Sequence, residues 1–265
     1  MNHLLLLPPS LWLLWEQRAE VRRLTKGQWL ALAIIGGGGS VLATVAFTRA
    51  FMVSTNVSVP VLIQKTQPCF ALLLARTLLG ESLPRSFWLL ALVAFVGAYL
   101  LSFGTMSPSA ILSAMDLGAI GLAFLAAATW GSCTVIGRLV VKNLSFATVT
   151  ALRFVLGSIA AACALYLSPE WQQSLNASSE NFMLHWRPFA GMAYLSGFVP
   201  MLIYYRGLQT TKASVATLCE LSFPLVAVAL NWILLGASLS WSQLVGGGLV
   251  VLAVTTLAWR SQPAA

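Results

Sequence analysis

Apolar residues fill this chain in blocks of about twenty, separated by short links that carry turn-forming residues and most of the basic ones. A helix needs about 20 residues to cross the hydrocarbon core of a bilayer, so the pattern predicts an all-α polytopic membrane protein. Eight full spans are expected, at residues 29–51, 57–79, 86–104, 117–137, 146–167, 188–206, 213–235 and 241–259. Residues 1–15 read as the end of an earlier, incomplete span. The links are short, as in Gly80-Glu81-Ser82-Leu83-Pro84, so consecutive helices are expected to be antiparallel neighbours.

Composition strengthens this picture. Hydrophobic residues make up 58% of the chain and charged residues only 8%, too few to build a water-facing shell around 28.4 kDa. The net charge of +8 raises the question of a nucleic-acid partner, but the basic residues lie in the links rather than in one stripe. If the segment with Arg18, Arg22, Arg23 and Lys26 is cytoplasmic, then Arg85, Arg138, Lys142, Arg206, Lys212 and Arg260 also fall on that side. Arg49 and Arg187 alone fall outside, while Lys65, Arg76 and Arg153 sit within spans. The predicted orientation is a multi-pass protein of the cytoplasmic membrane with a cytoplasmic C-terminus. The longer link from Ser168 to Trp186, with Glu170 and Glu180, is expected outside. Cys69, Cys133, Cys163 and Cys219 lie in apolar runs without paired spacing, so neither a disulfide framework nor a metal site is expected.

The chain also resembles itself. Phe47-Thr48-Arg49-Ala50-Phe51 matches Tyr204-Tyr205-Arg206-Gly207-Leu208, and Gln67-Pro68-Cys69-Phe70-Ala71 matches Phe223-Pro224-Leu225-Val226-Ala227. Leu79-Gly80-Glu81-Ser82-Leu83 likewise matches Leu235-Gly236-Ala237-Ser238-Leu239, at the same separation as the two prolines. A five-span unit places the second copy upside down, and inverted repeats of this kind mark secondary transporters, with the solute site near the bilayer midplane. The first repeat is placed at 1–107 and the second at 108–265. Projected backwards, the first copy is expected to lack its first helix and part of its second.

In this order and doubled occurrence the residues resemble an EamA-type domain of the drug/metabolite transporter superfamily. The resemblance rests on Ala128-Thr129-Trp130-Gly131-Ser132, Leu152-Arg153-Phe154, the Tyr205-Arg206-Gly207-Leu208 turn, Pro224 and Leu235-Gly236 in the C-terminal half. In the N-terminal half it runs from Arg49 through Gly80-Glu81 to Gly97. It implies a ten-helix inverted-repeat fold that exports or exchanges small metabolites. The sequence departs from the family's usual pattern at Ala237, where Glu is common, and in the missing N-terminal helix.

A charge at bilayer depth costs at least about 2.5–3.5 kcal/mol on insertion scales, so each one needs a reason. Lys65 lies three residues before Pro68 and Glu220 four before Pro224, each about one helical turn from its proline. Lys65 and Glu220, with Gln64 and Gln67, are expected either to line a cavity that binds the solute or to pair with each other across the repeats. Glu220 is also the candidate for carrying a coupling proton. Trp130 lies deep enough to line the same pathway, whereas Trp residues near span ends suit an aromatic belt. Pro60, Pro68, Pro200 and Pro224 lie within spans and are expected to kink them, as hinges or as static bends. The runs Gly36 to Gly39 and Gly246 to Gly248 are expected to let helices approach closely.

The function expected from these features is secondary transport of a small organic metabolite by alternating access, with the lipid bilayer as environment and protons or a counter-substrate as coupling partners. No cofactor is implied, and homo-oligomerisation is left open. A truncated, inactive or regulatory paralogue is the alternative. An intramembrane enzyme would need clustered acid, base or metal ligands at one membrane face, and the sequence offers two distant histidines and one intramembrane carboxylate.

Overall fold

A computed structural model describes residues 2–56, 58–107, 109, 116–168, 184–236, 238 and 240–260. The boundary drawn between repeats at 107 and 108, the acidic residues Glu170 and Glu180, and Ala237 touch or fall on positions outside these residues. The described residues are helical throughout, with no strand among them. The helices are α1 (Asn2–Glu16), α2 (Arg18–Val21), α3 (Lys26–Val53), α4 (Ser58–Gln64), α5 (Gln67–Leu78) and α6 (Arg85–Phe103). They continue as α7 (Leu117–Val141), α8 (Phe146–Tyr166), α9 (residues 184–208), α10 (Ala213–Leu235) and α11 (Trp241–Arg260).

Six of these, α3, α6, α7, α8, α10 and α11, are long and apolar enough to cross a membrane. Their exposed positions include Leu89, Leu92 and Val96 on α6 and Leu230, Ile233 and Leu234 on α10. A soluble protein would cover such faces with polar residues; a bilayer protein need not. The 57–79 stretch, expected as one span, is instead two short helices, because the chain stops being α-helical at Lys65 and Thr66.

The chain divides into two compact units. The first combines Met1–Thr44 with Ile136–Thr210. Its core is set by Leu6, Phe154, Ala193 and Phe198. Within α3, the glycine run lies in a π-helical stretch, Ile34–Leu42, and Gly36 faces Gly157 of α8. A Cβ on Gly36 would lie 2.9 Å from the Arg153 carbonyl oxygen and from the Gly157 nitrogen, so backbone meets backbone there. The Arg153 guanidinium donates to the hydroxyl of buried Tyr205 at 2.9 Å. Arg138 donates to the carbonyl oxygens of Leu208 and Gln209, satisfying acceptors that the end of α9 leaves without helical partners.

The start of α8 is closed by Glu20. Ser145 donates to its carboxylate through the backbone nitrogen at 2.8 Å and the hydroxyl at 2.7 Å, and the Thr148 hydroxyl donates as well. Burial alone would raise the Glu20 pKa; the donations from Thr148 and Ser145 outweigh it and hold the carboxyl below its ordinary value. A lowered folded pKa adds stability above the unfolded value, and this is lost as pH falls through the folded one. Thermal melts of the wild type should therefore lose an increment as pH falls from about 5 to below the ordinary glutamate value of about 4.3, and Glu20→Gln should lack that increment. Equal pH dependence in the two proteins would remove Glu20 as its source.

The second unit combines Val45–Val135 with Thr211–Ala265. Its main core joins Leu72 of α5 with Phe87, Ala91, Ala94, Ala98 and Leu101 of α6, Val215, Leu218 and Leu221 of α10, and Val250, Ala253 and Leu257 of α11. Gly97 and Gly246 let α6 and α11 touch along their backbones: a Cβ on Gly246 would stand 2.7 Å from the Gly97 oxygen. Gly80 and Gly236 adopt φ of 63° just past the ends of α5 and α10, a left-handed conformation that L-residues with a Cβ rarely take.

Candidate polar site at two helix breaks

Proline explains why the chain breaks where it does. Its ring carries no N–H and clashes with the carbonyl four residues earlier. Those carbonyls belong to Gln64 before Pro68 and to Glu220 before Pro224. At the first break α4 ends, Lys65 and Thr66 form a turn, and Pro68 lies in the first turn of α5. The Thr66 hydroxyl donates back to the Ile63 carbonyl at 2.6 Å, which also accepts from the Thr66 nitrogen at 2.9 Å, so one residue closes the turn. At the second, α10 is interrupted by a 3-10 turn, Glu220–Ser222, and Pro224 opens the stretch that follows. Pro200 is placed likewise, directly after the π-helical stretch Met192–Phe198 of α9. Pro60 instead lies buried inside α4.

The C-terminal side of the first break runs alongside the N-terminal side of the second. Gln67 meets Glu220 at one end, and at the other the Glu81 carboxylate accepts from the Ala213 nitrogen at 2.8 Å, the Ser214 nitrogen at 3.0 Å and the Ser214 hydroxyl at 2.5 Å. Residues 67–81 and 213–220 are therefore antiparallel. Between these ends Ala71, Ala75, Val135 and Ala213 pack together. Small side chains there bring the two half-helices close enough for the polar contacts to form.

Four side chains make a continuous row at the breaks. Gln64 Nε2 donates to Gln67 Oε1 at 2.8 Å, Gln67 Nε2 donates to Glu220 Oε2 at 2.6 Å, and the Thr134 hydroxyl lies 3.2 Å from Glu220 Oε1. Gln67 and Thr134 are buried; Gln64 and Glu220 are half-buried. Helix α7 supplies Thr134 and approaches closely through Gly131, where a Cβ would lie 2.6 Å from the Gln67 carbonyl oxygen. One turn before Thr134, Trp130 packs edge-on against Phe47, ring centroids 5.3 Å apart.

Of the residues expected from sequence, the structure joins Gln64, Gln67 and Glu220. Lys65 is not their ion-pair partner: its ammonium lies 5.9 Å from the Phe223 ring centroid, and no carboxylate among the described residues pairs with it. By spacing to the local proline, Gln64 and not Lys65 matches Glu220, since each stands four residues before it. Thr134 is not named from sequence, and Gly131 and Glu81 enter there only as parts of motifs, not as site residues. Glu81 carried a signal of position, at the end of a repeated motif, but its partners are more than a hundred residues away. No group of three or more His, Cys, Asp or Glu among the described residues is placed to hold a metal ion.

The EamA-like transporter family model matches residues 3–103 and 117–259. The chain belongs to this family. It is 32% identical over 241 residues to a protein described as riboflavin transporter ImpX from Fusobacterium nucleatum subsp. nucleatum (strain ATCC 23726 / VPI 4351), across 90% of this chain and 79% of that one. A solved crystal structure shares the fold at a TM-score of 0.71 and 14% identity, covering 99% of this chain and 88% of its own. The protein is thus a multi-pass membrane protein of a family that transports small molecules.

Proposed function

We propose that the protein is a secondary transporter that moves a small organic solute across the cytoplasmic membrane by alternating access, with riboflavin the first solute to test. The observation that carries this is the row Gln64–Gln67–Glu220–Thr134 at two helix breaks. Interrupted helices expose backbone carbonyls and polar side chains at membrane depth, where such groups are tolerated only around a cavity or buried in protein. An inverted repeat is supported by the matched breaks before Pro68 and Pro224 and by the matched terminal glycines Gly80 and Gly236. The distribution of Lys and Arg supports a cytoplasmic C-terminus. Riboflavin enters through the named relative alone.

The purified full chain in proteoliposomes should take up riboflavin saturably, above liposomes without protein, and unlabelled riboflavin on the far side should accelerate exchange. Folded protein that moves neither riboflavin nor any member of a metabolite panel would overturn the reading. Uptake of another solute would keep transport and replace riboflavin.

A further inference from the structure

We infer that Gln64 is the residue that reads the solute, and that it reads a cyclic amide or imide edge, a ring N–H beside a C=O. This rests on the proposal that the polar row is the solute site. The argument is one of donors and acceptors. Both Glu220 oxygens accept, one from Gln67 and one from the Thr134 hydroxyl, so Gln67 turns its nitrogen toward Glu220 and its oxygen away. That oxygen faces Gln64, which must answer with its own nitrogen. The orientation set at Glu220 is thereby passed along two carboxamides, and it fixes which atoms the last one has left.

Gln64 spends one N–H on Gln67 and keeps its oxygen and second N–H, with no protein partner for either among the described residues. It is half-buried, as Glu220 is, whereas Gln67 is covered, so the row is open at Gln64, whose carboxamide has the unspent atoms. A carboxamide offering one acceptor and one donor side by side pairs bidentately with a donor and acceptor so arranged, as glutamine does with the edge of adenine. Riboflavin presents such an edge in the ring N–H between its two carbonyls. A solute whose only polar group is a carboxylate offers no donor and would not match both atoms of Gln64. Gln67 and Glu220 are positioning residues: they set the orientation that Gln64 displays.

The test uses the full chain in detergent and reads binding by quenching of flavin fluorescence, with riboflavin and N3-methylriboflavin as probes. The wild type should bind riboflavin at least about tenfold more tightly than the N-methylated form. Gln64→Leu should weaken riboflavin by about tenfold and bind both probes alike. Equal binding of the two flavins by the wild type overturns the inference without reference to any variant. So does a Gln64→Leu protein that keeps the preference. In either case riboflavin transport itself would stand. A wild type that binds neither flavin removes riboflavin as the solute, and this inference with it.

Discussion

Glu220→Leu should abolish riboflavin uptake in proteoliposomes, and Glu220→Gln should retain uptake but flatten its response to pH. The two substitutions separate shape from charge. A carboxylate at membrane depth costs at least about 2.5–3.5 kcal/mol on insertion scales. Hydrogen bonds to a charged group return about 1.5–3 kcal/mol each, so the donations from Gln67 and Thr134 are of the right size to offset it. Leucine removes the acceptor and leaves the buried Gln67 amide facing an apolar side chain, which costs about 1–3 kcal/mol and releases the orientation of both carboxamides. Glutamine keeps the shape: its oxygen can accept from Gln67 while its nitrogen donates to the Thr134 hydroxyl, which has the Trp130 carbonyl 3.4 Å away as its own acceptor. What glutamine cannot do is exchange a proton. Uptake by Glu220→Gln that follows pH as the wild type does would remove Glu220 from any coupling role.

Gly246→Leu should lower the melting temperature of the purified protein more than any other single exchange in the glycine run Gly246 to Gly248. The added Cβ would stand 2.7 Å from the Gly97 oxygen and 2.8 Å from the Leu101 nitrogen, distances at which α6 and α11 must move apart. Overfilling a packed interface costs about 1–3 kcal/mol, and the obstacle here is backbone that no rotamer change can clear. Gly248 supplies the control. Nothing lies within 4 Å of its Cβ position, so Gly248→Ala should be neutral or slightly stabilising, by at most about 1 kcal/mol. Equal melting temperatures for Gly246→Leu and Gly248→Ala would sink the close-packing argument.

The helices were legible because hydropathy and length act locally. Expected spans at 86–104, 213–235 and 241–259 coincide with α6, α10 and α11 within a residue or two. The breaks were only half legible. Pro68 and Pro224 announce a lost hydrogen bond, but the apolar runs on both sides are long enough to read as one span, and hydropathy cannot tell a bent helix from an interrupted one. The candidate site divides similarly. Glu220 stood out because charge in a span is costly, and the same reasoning chose Lys65, whose ammonium found an aromatic ring instead. Gln64 and Gln67 stand out only as its neighbours, although Gln64 has the same spacing to Pro68 that Glu220 has to Pro224. Thr134 carries no comparable signal: a threonine in an apolar helix gains its meaning only when α7 comes to lie beside the breaks.

The paired half-helices have a mechanical consequence. Residues 67–81 and 213–220 are joined at both ends, by Gln67 with Glu220 and by Glu81 with Ala213 and Ser214, with packed alanines between. Such a closed loop of contacts resists shear, because sliding by one residue would break the bonds at both ends together. Phe223–Leu235, beyond the second break, buries only Pro224. Of the segments that flank the pair, Phe223–Leu235 is the less anchored, since α4 buries Val59, Pro60 and Ile63. Gln67 and Glu220 lie within the clamped pair, whereas Gln64, at the end of α4, lies just outside it and reaches in through Gln67.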